Sequence, residues 1–212
     1  MPTASRLCAF SSLALTSTLA VTQTLDPLGP LDAQGTVTYH IAAPEPGSEY
    51  RAGDDELAAW ALQAWERATG GTLRFVPATQ DAALVQIHFV AANAGLYGEM
   101  RPLVVAGRRG AAVYVRPDID ALGSDIAAQA RADPLFRDTV VYLTCVHELG
   151  HALGLVHTDD FDDIMYFFGF GGDIPGFFGR FRNGLAAREQ IPAQRALSDG
   201  DLAQLRALYP PR

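Results

Sequence analysis

The chain is poor in several features that mark large classes of protein. Lysine is absent: all sixteen cations are arginines, against twenty-four acidic residues, and the formal net charge of the 212-residue chain is −8. This excess of negative charge argues against a nucleic-acid partner or an anionic membrane surface. Cysteine occurs only as Cys8 and Cys145, too few for a disulfide framework. Cys145 lies in an apolar stretch, where a buried thiol is expected rather than a reactive one.

Long apolar runs are also lacking. The N-terminal run, residues 7–21, is interrupted by serines and threonines and is too short and too polar to anchor the chain in a bilayer. Arg6 before it and Thr18-Leu19-Ala20 near its end are typical of an export signal with a small-residue cleavage site. We therefore expect a signal peptide over residues 1–20, a linker or arm over 21–35, and action outside the cytoplasm, in the extracellular space or periplasm. A disordered tail is the alternative.

Residues 36–212 are expected to form one globular domain, since 49% of the chain is apolar and only 19% is charged. Alternating apolar and polar residues predict strands at 36–42, 72–76, 84–91 and 111–115, with a short edge strand near 103–106. Helices are predicted at 54–68, within 118–132, at 134–153 and at 199–208. This order predicts an α/β (α+β) domain in which helices pack on a mixed sheet.

Three of these helices begin at recognisable capping residues. Asp54 or Asp55 is the candidate cap of the first helix, and Asp133, followed by a proline, that of the third. Ser198, with Asp201 three residues later, predicts the start of the last helix.

The segment from His147 to His157 reads HELGHALGLVH. On a helix, residues four apart share a face, so His147 and His151 can offer two imidazoles to one metal ion, while Glu148 stays in the same turn without being a ligand. Gly154 lets the chain leave the helix through a left-handed conformation, and this turn can bring His157 back as a third ligand. Fixed positions of this kind make a helix with chance histidines the weaker interpretation.

Three protein ligands leave a fourth coordination position for water, which is typical of a catalytic rather than a structural zinc site. We expect one catalytic Zn²⁺ that activates this water for attack on a peptide bond, with Glu148 as general base. Two alternatives remain. A zinc-dependent peptide-binding or regulatory module without turnover would have no use for Glu148, and a structural zinc site would need a fourth protein ligand. Three imidazoles also accept other divalent metals.

The motif and its surroundings resemble the metzincins, and within them the matrixin branch: the catalytic domains of matrix metalloproteinases and their bacterial relatives. Thr158 stands where the branch usually has serine, and residues 163–166, Asp-Ile-Met-Tyr, are similar to the Met-turn, in which Met165 would form the floor beneath the zinc. Weaker likenesses, spread over residues 36–210, lie at Trp60, Trp65, 73–76, 85–89, 197–202 and 207–209.

The resemblance implies a zinc endopeptidase with a five-stranded mixed sheet above a cleft. An extended substrate would pair with an edge strand. The substrate pocket that this implies contains Leu103 and Val104 on that strand and Tyr166, Phe167 and Phe168 after the Met-turn. The expected partners are protein or peptide substrates, with no nucleic acid and no stable membrane anchor, and we expect a monomer.

The chain also departs from the matrixin pattern. Phe167 replaces the proline expected after Met-Tyr, and Gly200 replaces one of the paired aspartates of the last helix, leaving Asp201 to hydrogen-bond beneath the Met-turn. Nothing before residue 36 resembles the cysteine-bearing propeptide of the family. Residues 93–110 lack the histidines and aspartates of its structural zinc and calcium sites, so neither ion is predicted there.

Three features remain open. The glycine- and phenylalanine-rich segment 167–196 is either an apolar lid or wall of the substrate pocket, which we favour because long loops are often functional, or a surface insertion. His40 and His88, in predicted strands, are expected to be satisfied by hydrogen bonds rather than to bind metal. The aspartates before the Met-turn could bind calcium, but a solvated acidic loop is favoured. They are Asp159, Asp160, Asp162 and Asp163.

Overall fold

The computed structural model describes residues 29–31, 33–93 and 96–210. The predicted signal peptide and most of the predicted arm lie outside these residues. Among the helices that are described, none combines the length and the apolar character needed to cross a membrane.

Within the described residues, five strands form one mixed sheet, as predicted. They are β1 (Thr36–Ile41), β2 (Arg74–Pro77), β3 (Val85–Phe89), β4 (Gly98–Val105) and β5 (Arg108–Val115). Their order across the sheet is β2-β1-β3-β5-β4, and every pair is parallel except the β4–β5 hairpin. In the described part of the chain β4 therefore lies at one edge of the sheet.

The edge strand is longer than predicted and begins five residues earlier. It pairs with β5 from Gly98, opposite Val115, to Val105, opposite Arg108. The two residues between the strands, Ala106 and Gly107, have φ angles of 49° and 77°, as two-residue hairpin turns require. The hairpin was hidden in the sequence because Glu99, Arg101 and Pro102 weaken the apolar alternation.

Five α-helices complete the part of the domain that the structure describes. They are α1 (Asp54–Ala68), α2 (Ser124–Ala132), α3 (Pro134–Leu153), α4 (Ile174–Asn183) and α5 (Asp199–Leu208). Helices α1 and α3 pack against each other, and α3 also contacts β4 and β5. The predicted α/β architecture is confirmed, while α4 was not predicted.

Two of the three predicted caps are present. The Asp133 side chain accepts a hydrogen bond from Leu135 N at the start of α3, and Ser198 forms a reciprocal capping box with Asp201 at the start of α5. The prediction that Asp54 or Asp55 caps α1 was wrong. Gly53 precedes α1 and no side chain caps it.

Asp54 is instead buried in an ion pair that joins α1 to α3. Its carboxylate accepts a hydrogen bond from Arg51 N at 2.9 Å and another from Arg137 Nη2 at 2.8 Å. The side chains of Asp54 and Arg137 are each only 2% exposed, so the charge of one is offset by the other.

Trp65 joins the first helix to the site-bearing helix. Its fully buried indole donates from Nε1 to Val146 O at 2.9 Å. This hydrogen bond joins α1 to α3 at the residue that precedes His147. Trp60, five residues earlier in α1, is only partly buried, and Arg188 lies over its ring. Cys145 is a buried free thiol, and burial raises its pKa, as expected for an unreactive cysteine.

The described end of the predicted arm packs against the far end of α3. Leu31 is buried, and its backbone N donates to the Tyr209 hydroxyl, which donates in turn to Leu153 O at 2.8 Å. A Cβ at Gly154 would collide with Gly29 O. This end of the arm is therefore part of the packed domain rather than a free linker.

Candidate metal centre

The three motif histidines are brought together by the end of α3 and the turn after it. The helix ends at Gly154, whose φ of 103° lies in the left-handed region, where glycine carries no steric penalty. Leu155 N then donates back to Gly150 O at 2.9 Å. The reversal returns His157 to the face of α3 that carries His147 and His151, as the spacing predicted.

The geometry of this cluster, called the histidine triad below, is that of a metal site. One ligand atom from each of His147, His151 and His157 lies within 4.8 Å of the others, and no second such group of three occurs among the described residues. Nε2 of His151 is 3.1 Å from Nε2 of His157. Two nitrogens bound tetrahedrally to one zinc would be about 3.3 Å apart.

Backbone carbonyls orient two of the imidazoles. Nδ1 of His147 is 2.6 Å from Ile164 O, and Nδ1 of His151 is 3.0 Å from Leu155 O. Because a carbonyl oxygen only accepts, Nδ1 carries the proton in both rings, and Nε2 keeps the lone pair that a metal needs.

The surroundings of the histidine triad also keep its rings neutral. Burial, with the other histidines as a smaller cause, lowers the pKa of His147 to about 3 and that of His157 to about 4. Burial likewise lowers the pKa of His151. Neutral imidazoles are the form that binds zinc, so the donor set, its orientation and its protonation all fit a zinc ion.

Glu148 lies beside the histidine triad, in the turn of α3 that carries His147. Its side chain is 6% exposed, and burial raises its pKa to about 8, against the smaller lowering effect of Arg116. The backbone of β4 approaches closely here: a Cβ at Gly98 would lie 2.6 Å from Glu148 Cγ and 2.7 Å from Oε1. The start of the edge strand therefore limits where this carboxylate can go.

Met165, the methionine of the Met-turn, packs against α3 at Gly150, between His147 and His151 in the sequence. It is fully buried, and a Cβ at Gly150 would collide with its Sδ atom. Thr158 N donates to Met165 O at 2.9 Å. Asp201 accepts from Ile164 N at 2.9 Å and from Met165 N at 3.2 Å, so α5 supports the turn through the one aspartate that remains.

The structure explains why glycine stands at position 200. A Cβ at this position would lie 2.6 Å from Asp163 Oδ1, the oxygen that accepts a hydrogen bond from the Ser198 hydroxyl. The small residue therefore lets Asp163 approach the start of α5, and the departure from the paired-aspartate pattern leaves the turn supported.

A cavity of about 1010 Å³ opens beside the histidine triad. Of the predicted pocket residues, Tyr166, Phe167 and Phe168 line it, together with all three histidines and Glu148. Leu103 and Val104 do not line it, and Val104 is 77% exposed. The predicted edge strand is present, but the residues of it that line the cavity lie toward its start. They are Gly98, Glu99, Met100 and Pro102.

The segment 167–196 supplies one wall of this cavity. Ile174, Phe177 and Phe178 of α4 line it, and Phe177 and Phe178 are buried against the rest of the core. Phe168 packs among them, with ring centroids 5.0 Å and 5.8 Å away. Of the two interpretations of this segment, the structure favours the pocket wall.

Several residues of the site could not be found from the sequence. The start of β4 and the end of β5 bring three residues to Glu148 or the cavity, namely Tyr97, Gly98 and Arg116. None of them belongs to a local motif. Of the segment 167–196 only its phenylalanine content gave a signal.

The other candidate ligands lie apart from the histidine triad. His40 Nδ1 is 3.2 Å from Ala78 O, and His88 stacks on Tyr114. In the acidic loop Asp162 pairs with Arg180, and Asp163 is bonded to Ser198. Neither set belongs to a metal-binding group within the described part of the chain.

Comparison with known proteins agrees with this geometry. The chain matches the matrixin family over residues 32–169, which is 138 of its 212 residues and includes the sheet, the histidine triad and the Met-turn. A search of the curated proteins finds no match. The family is one of zinc-dependent metalloendopeptidases, and a histidine group able to hold a metal lies inside the matched region. The chain therefore belongs to the matrixin family.

Proposed function

We propose that the chain hydrolyses internal peptide bonds, with one zinc ion held by His147, His151 and His157 and with Glu148 as general base. The convergence of three neutral imidazoles beside a buried carboxylate is the observation that supports this most strongly. When bound, a zinc ion supplies a Lewis acid that lowers the pKa of water and polarises a carbonyl.

Glu148 moves the proton in this proposal. A carboxylate oxygen of Glu148 takes a proton from the attacking water and passes it to the amine of the leaving segment. Without a metal ion, burial raises the pKa of Glu148 to about 8, and a zinc ion held by the three histidines would favour the ionised form. The group can therefore both accept and release a proton near neutral pH. A site that only binds peptides would have no use for it.

The edge strand is proposed to hold the substrate backbone. The first half of β4, next to Glu148, lines the cavity, and an extended peptide that adds to this edge would have its scissile bond beside the general base. The cavity behind it, walled by Tyr166, Phe168 and α4, is proposed to take a bulky apolar side chain of the substrate.

Two further expectations rest on the sequence pattern. The N-terminal sequence pattern that is typical of an export signal supports action outside the cytoplasm, and the excess of acidic residues supports protein or peptide substrates rather than nucleic acid. We propose a single catalytic zinc ion and a monomer as the active form, and we predict no calcium site.

The test is to purify the chain, measure its bound metal and assay cleavage of casein and of a peptide library. Glu148→Ala should keep one zinc per chain and lose nearly all cleavage, while His157→Ala should lose both zinc and cleavage. Zinc binding with no cleavage by the wild type would favour the peptide-binding module. Equal cleavage by wild type and Glu148→Ala would refute the assigned base.

A further inference from the structure

Two consecutive phenylalanines after the Met-turn flank different histidines. Phe168 stacks on His147, with centroids 6.2 Å apart and ring planes 16° apart, and its other aromatic neighbours belong to the cavity wall. Phe167 packs on His157, with centroids 4.8 Å apart. The backbone thus places one ring inside the cavity and its neighbour beside the third histidine.

Phe167 does not belong to the buried aromatic cluster. It is 42% exposed, and the other large side chain against it, Phe170, is 64% exposed, with centroids 5.2 Å apart. Val156, just before His157, is 40% exposed. Both Val156 and Phe167 line the same cavity as the histidine triad, so this exposed apolar surface is continuous with the cleft.

The separation of the two surfaces suits a single extended peptide. The ring centroids of His147 and His157 are 5.3 Å apart, and Phe168 packs on the first of these rings and Phe167 on the second. Extended chain advances about 3.4 Å per residue. Side chains two or three residues apart in one substrate can therefore reach the two surfaces at the same time.

We propose that Phe167 and Val156 form a second specificity subsite beside His157. This subsite takes a bulky apolar side chain of the substrate and is separate from the deep pocket, the part of the cavity that is walled by Tyr166, Phe168 and α4. This inference rests on the proposed function and narrows its substrate class. The enzyme is directed to segments with large apolar residues on both sides of the scissile bond, such as those that folded proteins keep in their cores.

The test uses quenched fluorescent peptides with one scissile bond. The parent peptide carries leucine or phenylalanine on both sides of the bond, at positions two residues apart, and two further peptides carry serine at one or the other of these positions. We would measure kcat/KM for wild type, Phe167→Ser, Phe167→Leu and Val156→Ser. Ile174→Ala reports on the deep pocket, and Val104→Ser is the matched exposed-valine control outside the cavity.

We expect Phe167→Ser to lower kcat/KM for the parent about tenfold, with little effect on the peptide that already has serine on the same side. Val156→Ser should act on that side more weakly, Phe167→Leu should keep most of the activity, and Val104→Ser should match wild type. The loss of kcat/KM in Ile174→Ala should depend on the residue on the opposite side of the scissile bond. Bound zinc and thermal midpoints should not change.

An equal effect of Phe167→Ser on all three peptides, no effect, or the same side dependence as Ile174→Ala would overturn the second subsite. Binding of the peptides to Glu148→Ala, followed by fluorescence anisotropy, gives the same comparison without turnover. A wild type that cleaves none of the peptides, but whose side-selective binding is lost in Phe167→Ser, would refute the peptidase proposal and leave the subsite standing.

Discussion

At the scale of single residues, the position of Glu148, the proposed general base, depends on the absence of a side chain opposite it. Gly98 leaves space that Glu148 fills, since a Cβ there would lie 2.6 Å from Glu148 Cγ. The carboxylate has little freedom to move away because it is buried against Gly98, the first residue of β4. A change of one methyl group at Gly98 should therefore act on the chemistry of the site.

We expect Gly98→Ala to lower kcat about 100-fold, because displacing a reacting group by about 1 Å has effects of that size. Zinc content should stay near one per chain, since the atoms nearest to a Cβ at position 98 belong to Glu148 and not to a histidine. The matched control is Gly179→Ala in α4, where a Cβ meets nothing within 4 Å. Steady-state kinetics with metal analysis test this, and unchanged turnover in Gly98→Ala would mean that Glu148 is placed by other contacts.

The residues that the sequence predicted correctly are those whose geometry is local. His147 and His151 follow from helical spacing, and His157 from the glycine turn at Gly154. Gly98 could not be predicted, because its contact with Glu148 spans fifty residues and depends on the register of β4. The different positions of Phe167 and Phe168 are equally invisible, since adjacent phenylalanines look alike until the backbone direction is known.

At the scale of elements, α5 contributes to the site through one side chain. Asp201 is fully buried and accepts hydrogen bonds from Ile164 N, Met165 N and Ser198 N. It thus closes the capping box of its own helix and holds the turn beneath the histidine triad at the same time.

We expect Asp201→Ala to destabilise the fold by about 2–4 kcal/mol, because it leaves several buried N–H groups without an acceptor. The exposed neighbour Asp199, in the same first turn, is the control: Asp199→Ala should change stability little. Urea unfolding of the zinc-loaded proteins measures both. Similar losses in the two variants would show that Asp201 acts only through its charge near the helix end.

The ion pair between α1 and α3 should be costly to break from one side. Asp54→Ala leaves the buried Arg137 guanidinium with only a longer contact, 3.6 Å, to Asp138 Oδ1, and we expect a loss of about 3–5 kcal/mol. Asp120→Ala removes an exposed pair with Arg131 and should cost little or nothing. Thermal and urea unfolding compare the two, and a small loss in Asp54→Ala would mean that water reaches Arg137.

Element prediction failed where packing overrides local preference. Helix α4 contains two glycines and a proline in its ten residues, which is poor helical composition. It forms because Asp173 caps it and because Phe177, Phe178 and Phe181 are buried against the core. The buried ion pair of Asp54 was missed for a similar reason. An aspartate at the start of a helix is typical of a cap, and its pairing with an arginine far away in the sequence is visible only in the structure.

At the scale of the whole molecule, the class of fold followed from the order of elements, whereas the strand order did not. The run β3-β4-β5 could pair in several ways, and only the structure shows β5 between β3 and β4. That order places the first half of β4 beside α3, and so brings the edge strand to the histidine triad. The site is therefore a product of the topology as much as of its motif.

The metal-free protein should show how the site and the stability of the fold are coupled. Burial lowers the pKa of His147 and His157 from 6.5 to about 3 and about 4, so between these limits the unfolded chain binds more protons than the folded one. The stability contributed by the neutral histidines is full above about pH 6.5 and is lost as the pH falls toward 4. Glu148 has the opposite sign. Its pKa is raised from 4.5 to about 8, so its contribution is full below pH 4.5 and is lost as the pH rises through 8.

We therefore expect chelator-treated protein to be most stable near pH 6.5, where the acid loss from the histidines has ended and the alkaline loss from Glu148 is incomplete. Thermal unfolding from pH 4 to 9 tests this against two variants. His157→Asn should flatten the acid side of the profile, and Glu148→Gln should flatten the alkaline side, each leaving the other side unchanged. Zinc should raise the thermal midpoint most near neutral pH, because protons compete with it for the histidines at low pH. Identical profiles in all three metal-free proteins would mean that water reaches these groups and that the fold does not hold the histidine triad neutral in advance of the metal.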